Sequence, residues 1–163
     1  MHRISEGQLH LEKTTFKASK ILASSCHNII SQGNHQVNIT GDLDATIFAD
    51  EQRLEQVLVN YVNNAVKYAP ESREINITVE QLQDCIKITV KDQGEGIDPA
   101  VQPFIFDRYY RANHEGKSYS GLGLGLYISA EIIKKHAGLI GVDSTVGLGS
   151  SFWFSIPRPP AER

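Results

Sequence analysis

The sequence has no long apolar run. Nothing in its 163 residues approaches the ~20 consecutive apolar residues that a membrane-crossing helix needs. The opening MHRISEGQLHLEK lacks the apolar core of a secretory signal. An excess of one charge is missing too. Sixteen Lys and Arg stand against 19 Asp and Glu, a formal net charge of −3, which excludes a general polycation for nucleic acid or anionic lipid. Cysteine is scarce: Cys26 and Cys85 have no metal-motif spacing and read as two buried free thiols in a reducing compartment. The six histidines are scattered, with no HExxH and no Cys/His cluster, which argues against a protein-bound zinc site.

What remains is an ordinary globular composition, 40 % apolar and 21 % charged, with length for one domain. Residues 1–6 read as the end of an upstream helix or linker, 7–157 as the domain, and 158–163 as a tail. QLHLEK puts Leu9 and Leu11 on one face, as a short strand would. FKASKILASSCHNIISQ spaces Phe16, Ile21, Leu22, Cys26, Ile29 and Ile30 for a helix face. QVNIT reads as a strand, GDLD as a turn and ATIFA as another strand. Asp50 is a good N-cap for DEQRLEQVLVNYVNNAVKYA, which Pro70 closes. EINITVE and CIKITVK alternate as a hairpin. A helix to about His136 follows the glycine-rich stretch, then strands at LIGVDS and SSFWFSI around a turn at VGLG. Hairpins plus two or three long helices predict an α+β fold: a two-layer α/β sandwich, with a mixed, mostly antiparallel sheet and helices on one face.

In the long helix, Leu54, Leu58, Val62, Ala65 and Ala69, flanked by Tyr61 and Val66, form an apolar stripe. Gln56, Asn60, Asn63, Asn64 and Lys67 lie on another face, with 56, 60 and 64 spaced one helical turn apart. Asparagine is a poor helix former, so three within five residues need a reason. One reading is a solvated polar face. The other is an amide oxygen for a hard cation such as Mg²⁺ beside a lysine for phosphate.

ITVKDQGEGI ends a strand and sets Asp92 before Gly94 and Gly96. This is either a common D-x-G turn or a base pocket, in which bare backbone admits a planar ring and ionised Asp92 accepts from the exocyclic amino group of adenine. The third feature is GLGLGL, Gly121 to Leu126, directly before a helical pattern. Glycines at a helix N-terminus expose N–H groups where the dipole favours anions; a mobile hinge is the competing reading. No G-K-[ST] follows, so this is not a Walker A loop. Its spacing, and the lack of a strand before it, do not fit a dinucleotide fingerprint despite a suitably distant Asp143.

Together the residues resemble a family: the catalytic, ATP-binding domain of bacterial sensor histidine kinases, within the gyrase, heat-shock chaperone, histidine kinase and MutL ATPase (GHKL) superfamily with its Bergerat fold. VNYVNNAVKYAP resembles the N box, DQGEGI the G1 box, FIFDRYYR the F box, GLGLGLYIS the G2 box and VGLGSSFWFSIP the G3 box, in that order. HRISEGQLHLE resembles the junction with an upstream dimerisation helix.

The resemblance implies ATP and Mg²⁺ as cofactors. Asn64 would be the metal ligand, with Asn60 near the phosphates. Lys67 would contact phosphate and Tyr68 would pack on adenine. Asp92 would bind the adenine amino group, with Gly94 and Gly96 shaping the pocket and Ser150 near the base, where the family often has threonine. Phe104 and Phe106 would anchor an ATP lid spanning about 99–120. Arg108 and Arg111 would reach the γ-phosphate, while Gly121, Gly123, Leu124 and Gly125 would pass the phosphates. Hydrolysing members place a glutamate where Asn60 stands, and an amide cannot take a proton from water. That implies delivery of phosphate to a histidine rather than hydrolysis. No histidine here lies in a phosphoacceptor-like block, so the acceptor is expected on an upstream dimerisation domain. The fragment is expected to be monomeric and cytoplasmic, and the full-length protein a homodimer, membrane-anchored in many relatives, that signals to a response regulator. An anti-sigma-factor type of serine kinase and a non-catalytic nucleotide-binding module are the alternatives.

Overall fold

The computed structural model describes residues 10–32, 35–68, 74–107 and 122–158. The elements are β1 (Lys13–Lys17), α1 (Ala18–Gln32), β2 (Gln36–Gly41), β3 (Thr46–Asp50), α2 (Glu51–Tyr68), β4 (Glu74–Gln81), β5 (Cys85–Lys91), a 3-10 turn (Gln102–Phe104), α3 (Leu122–Lys135), β6 (Leu139–Thr145) and β7 (Gly149–Pro157). A five-stranded sheet runs β2-β4-β5-β7-β6, and β1 with β3 forms a separate two-stranded ribbon. Among the described residues β2 and β4 run parallel, and the other strand pairs are antiparallel. The expected α+β sandwich is therefore the observed architecture.

Strand alternation builds the core. In β4 Ile75, Ile77 and Val79 are buried, in β5 Ile86, Ile88 and Val90, and in β7 Phe152, Phe154 and Ile156. Register aligns them in rows: Ile77 with Val90, Val90 with Phe152, and Val79 with Ile88 and then Phe154. Helix α2 covers these rows with Leu54, Val57, Leu58, Tyr61, Val62 and Ala65, while α3 adds Leu126, Ile132 and Ile133. Each large aliphatic side chain contributes about 1.5–3 kcal/mol on burial, so truncating a central one such as Leu58 would cost about 2–5 kcal/mol.

Three expectations need correction. The first strand is Lys13–Lys17, not QLHLEK. Phe16 belongs to that strand rather than to α1: it lies opposite Ile47 of β3, and burial there outweighs its fit to the helical spacing. Tyr61, in keeping with its place flanking the apolar stripe, is fully buried at 0 % exposure. It packs on Phe152 and Phe154 with centroids at 5.5 and 6.1 Å. Burial is tolerated because its hydroxyl donates to the Trp153 carbonyl at 3.1 Å. Finally, the glycine stretch is not a loop ahead of a helix. Helix α3 begins at Leu122, so Gly123 and Gly125 lie within its opening turns. Their helix penalty, about 1 kcal/mol each, is outweighed by the packing of Leu126, Ile132 and Ile133.

Asp50 caps α2 as expected. Its Oδ1 accepts from the Arg53 N–H at 3.2 Å and its Oδ2 from the Glu12 N–H at 2.9 Å. A contact that sequence reading missed lies beside it. His136, buried just after α3, accepts the Asp50 N–H on Nε2 at 3.0 Å, and its Nδ1 donates to the Ile132 carbonyl at 2.8 Å. Both bonds together require the neutral ring with its proton on Nδ1. Burial, the largest influence, holds its pKa below the ordinary 6.5. Cys26 and Cys85 are both free, but only Cys26 is buried as expected, while Cys85, at the start of β5, is half-buried; burial pushes the Cys26 thiol up.

Candidate functional site

Asp92 follows β5 directly and continues the inward row of Val90. Ser150, two residues before Phe152, continues the same inward row on β7. Their backbones extend the ladder: the Asp92 N–H donates to the Ser150 carbonyl at 2.9 Å. Asp92 is 7 % exposed. Its Oδ1 accepts from the N–H groups of Gly94 at 2.9 Å and Ser150 at 3.2 Å. Among the described residues both bonds fall on Oδ1, which leaves Oδ2 to accept from a ligand. Desolvation, the largest influence, raises the carboxyl above its ordinary 3.8, and the two N–H bonds pull the other way. The D-x-G turn and the base-pocket reading thus turn out to be compatible, since one oxygen makes the turn and the other is left over.

The loop from Gly94 to Ile97 is held against the β6–β7 hairpin. Gly147 N–H donates to the Glu95 carbonyl at 2.7 Å, and Ile97 N–H to the Ser144 hydroxyl at 2.7 Å. Two glycines are required here. Gly96 has φ +82°, and a Cβ there would lie 2.4 Å from the Thr145 carbonyl oxygen; Gly149 has φ +113°, and a Cβ there would lie 2.1 Å from that of Asp92. Gln102 donates from Nε2 to the Ile97 carbonyl at 2.8 Å and the Ser144 carbonyl at 3.1 Å. Sequence reading passed over Ser144 and Gln102, because a lone serine in a strand and a lone glutamine in a turn carry no pattern.

The second half of the site is the polar face of α2. Asn60 donates from Nδ2 to the Gly125 carbonyl at 3.2 Å and to Ser129 Oγ at 3.1 Å, and Ser129 itself donates to the same carbonyl at 2.9 Å. Asn60 thus ties α2 to the opening of α3. Asn63 is exposed and Asn64 half-buried. The buried Nδ2 of Asn64 has no hydrogen-bond partner among the described residues. Such an orphaned amide end costs about 1–3 kcal/mol unless something fills it. Amide oxygen and nitrogen are interchangeable in assignment: oxygen there is a hard-cation ligand, nitrogen a donor to a phosphate oxygen. Among the described residues no group of three or more His, Cys, Asp or Glu is placed to hold a metal ion. A single amide oxygen suits a cation that takes most of its ligands from phosphates and water, as Mg²⁺ does.

Phe152 links the two halves. It packs on Tyr61 of α2 and edge-on against Phe106 at 6.4 Å. Phe106 is thus a packed anchor where the segment after Asp92 meets the core. Phe104 is 50 % exposed, while Ile105, between them, is buried to 1 % and joins the core.

Of the other expected residues, Lys67 and Tyr68 stand in the last turn of α2 and Gly123 and Leu124 in the first turns of α3; only their backbone positions are described. Arg108, Arg111 and Gly121 lie outside the described residues, as does most of the 99–120 segment. Among the described residues no helix is long and apolar enough to cross a membrane.

Comparisons with known proteins give the family and the fold. Residues 49–160 match the family model described as histidine kinase-, DNA gyrase B-, and HSP90-like ATPase. The adaptive-response sensory kinase SasA of Gloeothece citriformis is 39 % identical over 113 residues, which cover 68 % of this chain and 28 % of that protein. The chain thus spans well under half the length of this curated relative. Among solved structures, the nucleotide-free catalytic domain of the histidine kinase ThkA is 27 % identical with a TM-score of 0.75, covering 90 % of this chain and 96 % of that one. Full-length ShkA in complex with AMPPNP is 25 % identical with a TM-score of 0.79, covering 95 % and 33 %.

Proposed function

The chain belongs to the histidine kinase-, DNA gyrase B- and HSP90-like ATPase family, as the ATP-binding catalytic domain of the histidine kinase type, and from that premise we propose that it binds Mg–ATP and passes the γ-phosphoryl group to a histidine on an upstream dimerisation domain. The observation that carries the reading is the pair formed by a buried carboxylate with one oxygen left over and an α2 amide with an orphaned end. The α2 helix packs on the sheet face into whose rows Asp92 and Ser150 continue.

In this reading Asp92 Oδ2 accepts from the adenine amino group, Gly94 and Gly96 leave room for the ring, and Tyr68 stacks on it. Asn64 would hold Mg²⁺ through its amide oxygen, and the ion when bound neutralises phosphate charge. Lys67, Arg108 and Arg111 bind phosphate oxygens, and the opening of α3 around Gly121, Gly123, Leu124 and Gly125 offers N–H groups and the positive end of its dipole. Transfer breaks the bond from the γ-phosphorus to the ADP oxygen as an imidazole nitrogen bonds to phosphorus. ADP leaves and the imidazole proton passes to solvent. Phosphoryl transfer asks chiefly for positioning and charge neutralisation, and Asn60 offers no base for water, so hydrolysis is slow. The upstream domain makes the working enzyme a homodimer, a response regulator takes the phosphate onward, and the domain works in the cytoplasm, where ATP is.

The test adds this domain and radiolabelled ATP to a polypeptide carrying the dimerisation helices of the parent protein. The expected product is an acid-labile, base-stable phosphate on a histidine there. An acid-stable label, or no label, overturns the reading. Calorimetry with ATP, with and without Mg²⁺, separately tests binding, and Asn64→Ala is expected to abolish the Mg²⁺-dependent part.

A further inference from the structure

Ser144 lies on β6 opposite Ser150 of β7, and its hydroxyl gathers three contacts. It accepts from Ile97 N–H at 2.7 Å, lies 3.1 Å from the Gly149 carbonyl oxygen, and lies 2.8 Å from Ser150 Oγ. A hydroxyl has one proton and two lone pairs. One arrangement fills every valence: Ile97 N–H and Ser150 O–H donate to Ser144, and Ser144 donates to the Gly149 carbonyl. The opposite arrangement, with Ser144 donating to Ser150, leaves the Gly149 bond unmade and the Ser150 proton without a partner among the described residues. Gln102 steadies these contacts by binding the Ser144 and Ile97 carbonyls through one amide nitrogen.

We propose that Ser144 is a positioning residue that sets base selectivity by drawing the Ser150 proton away from the pocket. The inference rests on the reading of Asp92 and Ser150 as the base end of a nucleotide site. With its proton engaged, Ser150 Oγ presents only lone pairs, on the residue whose backbone N–H holds the Asp92 carboxylate, a group that is itself acceptor-only when ionised. Two such acceptors select a base with an amino group at C6 and oppose one with a carbonyl there. Without Ser144, the Ser150 hydroxyl turns and donates, and the penalty on a 6-carbonyl base is relieved.

The experiment measures ATP and inosine triphosphate binding by calorimetry for the whole chain and for Ser144→Ala, Ser144→Thr, Ser150→Ala and the double variant S144A/S150A. The wild-type chain is expected to favour ATP. Ser144→Ala lowers the ATP-to-ITP affinity ratio about tenfold, the scale on which an unpaired polar group discriminates. Ser144→Thr keeps the hydroxyl and the ratio. Ser150→Ala lowers the ratio on its own, and adding S144A to it changes nothing further. A serine that only braces the loop would weaken both nucleotides alike, so an unchanged ratio in S144A overturns the inference while leaving the nucleotide site standing. Equal wild-type binding of the two nucleotides overturns it as well. Absence of ATP binding instead removes the underlying reading. Should S144A not fold, the near-isosteric S144C carries the test, since a thiol is a weak acceptor and the same drop is expected.

Discussion

Replacing Asp92 by Asn isolates the charge at the base end of the site with almost no change of shape. The side-chain oxygen can keep its bonds to the Gly94 and Ser150 N–H groups, at 2.9 and 3.2 Å in the wild type. The other oxygen becomes an NH₂ that meets the adenine amino group donor to donor. A hydrogen bond to a charged group contributes about 1.5–3 kcal/mol, and a mispaired donor adds a desolvation cost of similar size, so we expect a loss of about 3 kcal/mol, or roughly a hundredfold in ATP affinity. Fold stability should move the other way. Burial holds the Asp92 carboxyl above its ordinary 3.8, which means the ionised form is disfavoured in the folded state. Asp92→Asn removes that cost, so Tm at neutral pH should be unchanged or higher. Calorimetric titration with ATP and a thermal melt on the same samples check both. An affinity within threefold of wild type, or a lowered Tm with affinity lost in proportion, refutes the reasoning. The same raised pKa predicts that wild-type ATP affinity falls, as pH is lowered, sooner than for an ordinary aspartate, with the loss centred on the folded-state pKa.

Further predictions concern positions around the site. His136 is held neutral, below its ordinary 6.5, so its bond to Asp50 contributes fully above that pH and stability declines as pH falls below it toward the folded-state value; urea denaturation between neutral pH and about pH 5 should show this slope, and His136→Gln should flatten it. Gly125→Ala places a Cβ 3.8 Å from Asn60 Cγ, an ordinary contact, so the fold should gain up to about 1 kcal/mol of helix propensity; ATP affinity should drop if the bare backbone faces phosphate, and an unchanged affinity removes Gly125 from the site. Gly149→Ala, by contrast, should destabilise the fold in the same denaturation assay, because its Cβ would lie 2.1 Å from the Asp92 carbonyl oxygen at φ +113°.

Local chemistry carried much of this protein in the linear chain. Alternation in EINITVE and CIKITVK specified a hairpin because one face of each strand had to be buried, and Asp50 announced α2 because its carboxylate satisfies an orphan N–H at a helix start. Asp92 with its glycines, and the crowded asparagines of α2, were legible as candidate chemistry because those residue types are unfavourable without a use. What neighbours in space decide could not be read in this way. Phe16 fits a helical spacing, yet the partner Ile47 made it part of a strand. GLGLG reads as a loop by propensity, yet the apolar face of α3 against the core made it helical. That Ile105 enters the core beside the expected Phe106 depended on the path of the segment after Asp92. Ser144, Gln102 and His136 act through bonds to residues 47, 42 and 86 positions away, and a bond across such distances exists only once the sheet has closed and the entropy of bringing its ends together has been met.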